Sequence, residues 1–76
     1  MLKEIIEFTV KSLVESPQSV VITESQQDSK SIFEIRVNEQ DIGKVIGKEG
    51  QTIRALRMFL IAIAPAGREI EVTVAK

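Results

Sequence analysis

Apolar and polar positions along the 76 residues fall into six segments with two periodicities. Leu2, Ile5, Ile6, Thr9, Val10 and Leu13 recur at the spacing of one helix face, with Lys3, Glu4, Glu7 and Lys11 on the other. Glu7 precedes Lys11 by four residues, the favourable order for a helical ion pair. Ser16-Pro17 ends this helix, because the residue before proline avoids helical dihedrals. Residues 19–25 carry the β-branched run Val20-Val21-Ile22-Thr23, which predicts a strand. A polar turn over residues 26–31 follows, and Phe33, Ile35 and Val37 then alternate with Glu34 and Arg36 as a half-buried second strand. Two adjacent strands and a polar turn predict an antiparallel hairpin.

Asn38 suits a helix N-cap, and Asp41 adds negative charge to the first turn. Ile42, Val45 and Ile46 continue at helical spacing until Gly47 interrupts them. A longer helix over residues 51–64 ends at Pro65-Ala66-Gly67, and Ile70, Val72 and Val74 alternate with Glu69, Glu71 and Thr73 as a third strand. No internal repeat, low-complexity tract or linker divides the chain, so residues 1–76 are expected to form one domain. The expected class is α+β, order α-β-β-α-α-β, with helices on one face of a three-stranded sheet.

Composition narrows the chemistry. The chain has no Cys and no His, which removes thiolate nucleophiles, disulfides, the usual general base and the commonest metal ligand. No enzymatic activity and no cofactor or metal is expected. The longest apolar run, residues 58–65, is far short of the roughly 20 residues of a membrane span. Without a signal-peptide pattern at the N-terminus, the expected location is the cytoplasm, with no membrane partner.

Charge is divided unevenly. Residues 43–68 hold Lys44, Lys48, Arg54, Arg57 and Arg68 against Glu49 alone, a net of +4. Residues 1–42 hold four cations against eight carboxylates, a net of −4, so the overall charge of −1 conceals a basic half. That half surrounds Gly47-Lys48-Glu49-Gly50. Glycines there permit positive φ and close approach of a ligand to the backbone, and the loop opens into a helix N-terminus whose first N–H groups are free for phosphate. Lys48 adds a full charge, whereas Glu49 puts a carboxylate beside the phosphate path and lowers the expected affinity. Two other phosphate loops fail. Three residues lie between Gly43 and Gly47 where a P-loop needs four, and Val45 stands where a dinucleotide fingerprint needs glycine.

The run Val45-Ile46-Gly47-Lys48-Glu49-Gly50-Gln51-Thr52-Ile53 resembles the V-I-G-x-x-G-x-x-I signature of KH-domain RNA-binding proteins. With the element order and the length, the whole chain is similar to the small bacterial KhpA family of type II KH domains. The resemblance implies a groove for about four nucleotides of single-stranded RNA, clamped by the GxxG loop. By position, Gly47, Lys48, Glu49 and Gly50 would contact phosphates, with Lys44 beside them. Ile42, Gly43, Val45, Ile46, Ile53 and Arg54 would line or support the groove. The implied function is RNA chaperone or post-transcriptional regulator. The low aromatic content, 4%, suits such a groove better than a stacking platform.

The long helix is apolar nearly all round. Ile53, Leu56, Phe59, Leu60 and Ile63 form the stripe expected in the core, and Met58 and Ile61 lie opposite, where a partner would cover them. A second copy is the simplest partner. The family resemblance implies the same, either as a homodimer or with a larger KH protein of the Jag/EloR type. The alternative function is a protein-interaction module on this scaffold with weak or lost RNA binding.

Overall fold

The computed structural model describes residues 1–75, and the element order matches the hydrophobic pattern. Helix α1 spans Leu2–Leu13 and ends where Val14 turns extended ahead of Pro17. A single 3₁₀ turn at Pro17–Ser19 follows, closed by the Val20 N–H on the Pro17 carbonyl. That turn takes up residue 19, so strand β1 begins later than predicted, at Val21–Gln27. Strand β2 is Lys30–Arg36. The two pair antiparallel from Val21↔Arg36 to Gln27↔Lys30. The connecting loop is therefore two residues, Asp28-Ser29, rather than the six predicted. Asp28 takes φ +53°, a left-handed conformation that Asp tolerates, and this closes the hairpin tightly.

After β2, Asn38 caps a short turn at Glu39–Asp41 by accepting the Gln40 N–H at 3.0 Å. Helix α2, Ile42–Ile46, leads through a 3₁₀ turn at Lys48–Gly50 into helix α3, Gln51–Ile63. Strand β3, Glu69–Val74, returns parallel to β2, with Phe33 opposite Val72. The sheet order is β1-β2-β3. Ser31, Phe33 and Ile35 of the central strand point to the helices and are buried. Phe33 and Ile35 meet Ile6 and Val10 of α1, Val45 of α2, and Leu56 and Leu60 of α3 in one cluster with Val20, Ile22 and Ile70. Among the described residues no helix packs on the other face, where Lys30 pairs with Glu71 at 2.9 Å and Arg36 with Glu34 at 3.2 Å.

Phe59 and Ile63 depart from the expected core stripe, being 53% and 42% exposed. Three strands are covered by α1 and α3 lying apart, so α3 buries only the arc of Leu56 and Leu60 with Ile53 at its edge. Phe59 instead flanks an open furrow of about 440 Å³ between the helices, floored by Val10, Val45 and Leu56. Among the described residues, no helix is long and apolar enough to cross a membrane.

Candidate nucleic-acid interface

Three left-handed residues shape the loop between α2 and α3. Gly47 has φ +77°, Glu49 +55° and Gly50 +75°. A Cβ at Gly47 would collide with the Thr52 hydroxyl and come within 2.8–2.9 Å of that residue's Cβ and backbone N, so only glycine fits. At Gly50 space is available and the constraint is dihedral alone. Glu49 pays the left-handed cost without being glycine, about 1 kcal/mol or more. What holds it is Arg54, whose Nη2 donates to the Glu49 carbonyl at 2.8 Å. Backbone bonds from Gly47 N–H to the Gly43 carbonyl (2.9 Å) and from Gly50 N–H to the Gly47 carbonyl (3.1 Å) complete the turn.

The loop sits at the N-terminus of α3, where no side chain caps the first N–H groups. Lys48 and Glu49 are exposed, and neither is in an ion pair among the described residues. Helix dipole and lysine charge thus add at one open position.

Beside the loop, Gly50, Ile53, Arg54 and Arg57 of α3 and Val72 of β3 line a cleft of about 260 Å³. A second depression is lined by Arg36, Val37, Glu39, Ile42 and Ala75. Val72 and Ala75 are three residues apart on one strand line, roughly 10 Å at strand rise. Half-buried Ile42 and Ile53 are the apolar residues that α2 and α3 contribute to these two depressions. Ile46 and Gly47 are also half-buried, and Gly43 is exposed. Nothing lies within 4 Å of a Cβ placed on Gly43, so packing against another helix does not account for that glycine.

Val45, expected to line or support the groove, is 1% exposed and belongs to the core beneath it. Lys44 is turned to α1: its Nζ lies 2.7 Å from Glu15 Oε2 and 3.8 Å from Asp41 Oδ1. The hydrogen bond to Glu15 holds the Lys44 pKa above its ordinary value despite some desolvation. Asp41 is buried, and the N–H groups of Glu15 and Ser16 donate to its two oxygens at 3.3 and 3.1 Å. The residue read as first-turn charge thus ties the end of α1 to the start of α2. Arg68 is likewise structural. Its guanidinium donates to Ser31 Oγ (2.8 Å) and to the carbonyls of Asp28 (3.0 Å) and Lys30 (3.4 Å), fastening β3 to the hairpin turn.

With this geometry in hand, residues 3–75 match the family model described as KhpA/KhpB, KH domain. The chain belongs to the KhpA/KhpB family. Its α-β-β-α-α-β order and two-layer build are those expected of a type II KH domain. Among curated KhpA relatives, the RNA-binding protein KhpA of Thermotoga maritima is 39% identical over 75 residues, covering 99% of this chain and 100% of the relative. The RNA-binding protein KhpA of Aquifex aeolicus is 45% identical over 69 residues (91% and 84%), and that of Chlamydia trachomatis 44% over 63 residues (83% and 81%). No solved structure matches.

Two features of this KhpA/KhpB chain lay beyond sequence reasoning. The loop-holding bond of Arg54 runs from a side chain to a backbone carbonyl, which no residue pattern encodes. Arg57 was one of several basic residues until the fold set it against Val72.

Proposed function

We propose that this KH domain is a non-catalytic RNA-binding protein of the cytoplasm, an RNA chaperone or post-transcriptional regulator that holds single-stranded RNA by its backbone. The observation that carries this is the loop: three left-handed residues, an uncapped α3 N-terminus and exposed Lys48 at one position. Phosphates would lie against Gly47, Lys48, Glu49 and Gly50, and bases would dock along Ile42, Ile46 and Ile53. The printed names of the relatives, RNA-binding proteins, support the same ligand class.

The test is fluorescence anisotropy of a short single-stranded RNA at two salt concentrations, comparing wild type with Lys48→Asp/Glu49→Asp. That variant keeps both glycines, and Asp tolerates the left-handed site. Binding that weakens with salt and is lost in the variant is the expected result. Absence of wild-type binding at tens of micromolar overturns it.

A second reading rests on Met58 and Ile61, which are 63% and 51% exposed on α3. With Phe59 and Ile63 they leave an apolar surface suited to a second copy or to a larger KH partner, and association through it could be the main role. Sedimentation of Met58→Glu/Ile61→Glu tests this. A lighter species than wild type supports it, and unchanged sedimentation removes it.

A further inference from the structure

We propose that Asp41 is a positioning residue for RNA binding: its buried carboxylate latches α2, and with α2 the glycine loop, to the chain just beyond α1. The inference rests on the groove reading above and adds to it the contact that holds the loop in place.

Helix α2 has little within itself to fix its direction. Its five residues make little more than one turn, and a helix this short is unstable alone in water. Yet it carries Ile42 and Ile46 and ends at Gly47, where the loop begins. Contacts outside it must therefore set where the loop lies. Val45 supplies one by entering the core. Asp41 supplies the other, at the N-terminal end.

Asp41 stands at the N-cap of α2, where an aspartate ordinarily accepts from the first N–H groups of its own helix. Its side chain caps nothing in α2. Instead its two oxygens accept from two consecutive amides outside any helix or strand, Glu15 at 3.3 Å and Ser16 at 3.1 Å. Only 2% of the residue is exposed, so withdrawing the carboxylate leaves two N–H groups without their partner. A local cap is thus given up for bonds that reach back 25 and 26 residues. What the exchange secures is the place of α2 rather than its internal stability. Residues 41–47 form one short piece, latched at Asp41, pinned at Val45 and ending in the loop. By linkage, whatever the latch contributes to RNA binding, bound RNA returns to the latch.

The experiment has two arms and uses a short single-stranded RNA. In wild type, NMR follows hydrogen exchange of backbone amides with and without saturating RNA. The Glu15 and Ser16 amides are expected to exchange about fivefold or more slowly with RNA bound, the size of an ordinary coupling. The Gln27 and Lys30 amides, at the far end of the hairpin, are expected to keep their rates, which separates the latch from a general tightening. In the second arm, Asp41→Asn keeps the size but turns an NH₂ toward a backbone N–H, so one of the two bonds is lost. RNA binding is expected to weaken about fivefold or more with the salt slope unchanged, because no phosphate contact is removed. Ile22→Val, in the core on the sheet edge away from the cleft, is the control for stability alone. It is expected to lower Tm and keep RNA affinity within about twofold.

The proposal falls if the Glu15 and Ser16 amides keep their rates when RNA is bound. It also falls if folded Asp41→Asn binds like wild type, or if Ile22→Val weakens RNA binding as much for the same loss of Tm. A salt slope reduced by about 0.7 in Asp41→Asn overturns it too, since a lost phosphate contact would then explain the weakening. If Asp41→Asn does not fold, the exchange measurement decides alone, because it needs no variant. If wild type binds no RNA, the groove reading itself has failed, and this inference with it.

Discussion

The two flanks of α3 differ in chemistry although they share one helix. Toward β3, it presents Ile53, Arg54 and Arg57 beside Gly50, a cleft with cationic donors and an apolar bed. Toward α1, it presents Thr52, Ala55 and Phe59 to a furrow with no charged residue in its lining. One flank suits a polyanion with flat bases, the other a hydrocarbon surface. A short chain thus obtains two recognition surfaces by burying only a narrow arc, Leu56 and Leu60, between them. Separate ligands on separate flanks should be separable by mutation.

The largest effect is expected on the β3 side. Gly47→Ala meets both the left-handed φ and Thr52, so about 2 kcal/mol or more of stability should be lost, with RNA binding down more than tenfold. Urea unfolding and anisotropy measure the two losses. On the outward face of α3, between these flanks, Met58→Ser/Ile61→Ser should shift sedimentation to a lighter species while per-chain RNA affinity changes less than about threefold, because serine adds no charge one turn from Arg54 and Arg57. A parallel loss of RNA binding would show that face to be coupled to the cleft.

Arg54→Ala sharpens the cleft side. With the Glu49 carbonyl no longer held, RNA affinity should fall about three- to tenfold with the salt slope unchanged, because the bond removed is to the loop and not to phosphate. A slope reduced by about 0.7 would instead identify a direct phosphate contact. Gly43→Ala should raise Tm by about 2–8 °C, since alanine gains up to about 1 kcal/mol in a helix and its Cβ meets nothing. RNA binding should weaken at the same time if the nucleic-acid backbone runs over that glycine, and anisotropy reads this directly.

The smallest effect concerns pH. Glu15 holds the Lys44 pKa above its ordinary 10.5, so that ion pair stabilises the fold at neutral pH and its contribution is lost as pH rises through the folded-state pKa. Urea midpoints of wild type and Glu15→Gln should therefore differ at pH 7 and converge as pH rises past the folded-state pKa of Lys44. The screened, exposed pair makes this difference slight.

Local patterns made the six elements and the loop motif legible. Ile6 and Val10, or Phe33 and Ile35, announce their buried faces by spacing alone. Phe59 and Ile63 obey the same spacing and are exposed, because the width of the buried arc depends on how far apart α1 and α3 lie on the sheet. The long-range bonds of Lys44, Arg68 and Asp41 were not legible for a related reason. Their partners, Glu15, Ser31 and the Glu15–Ser16 backbone, are 25 to 37 residues away in sequence. The hairpin turn was read as six residues because its polar flanks resemble loop, whereas the pairing of Gln27 with Lys30 runs to the end.

The neighbours of β2 also set an order of folding. On one side it meets β1 across a two-residue turn, and on the other it meets β3 only after the chain has passed through residues 37–68. Hairpins form in roughly 1–10 μs, whereas pairing across long separations is delayed by loop closure. During synthesis at roughly 5–20 residues per second, the 38 residues from Val37 to Val74 take roughly two to eight seconds to emerge. For that interval the β2 edge lacks its parallel neighbour, and Phe33 and Ile35 lack the cover of α3. The nascent chain is then most exposed to aggregation, and the arrival of its last strand ends that exposure.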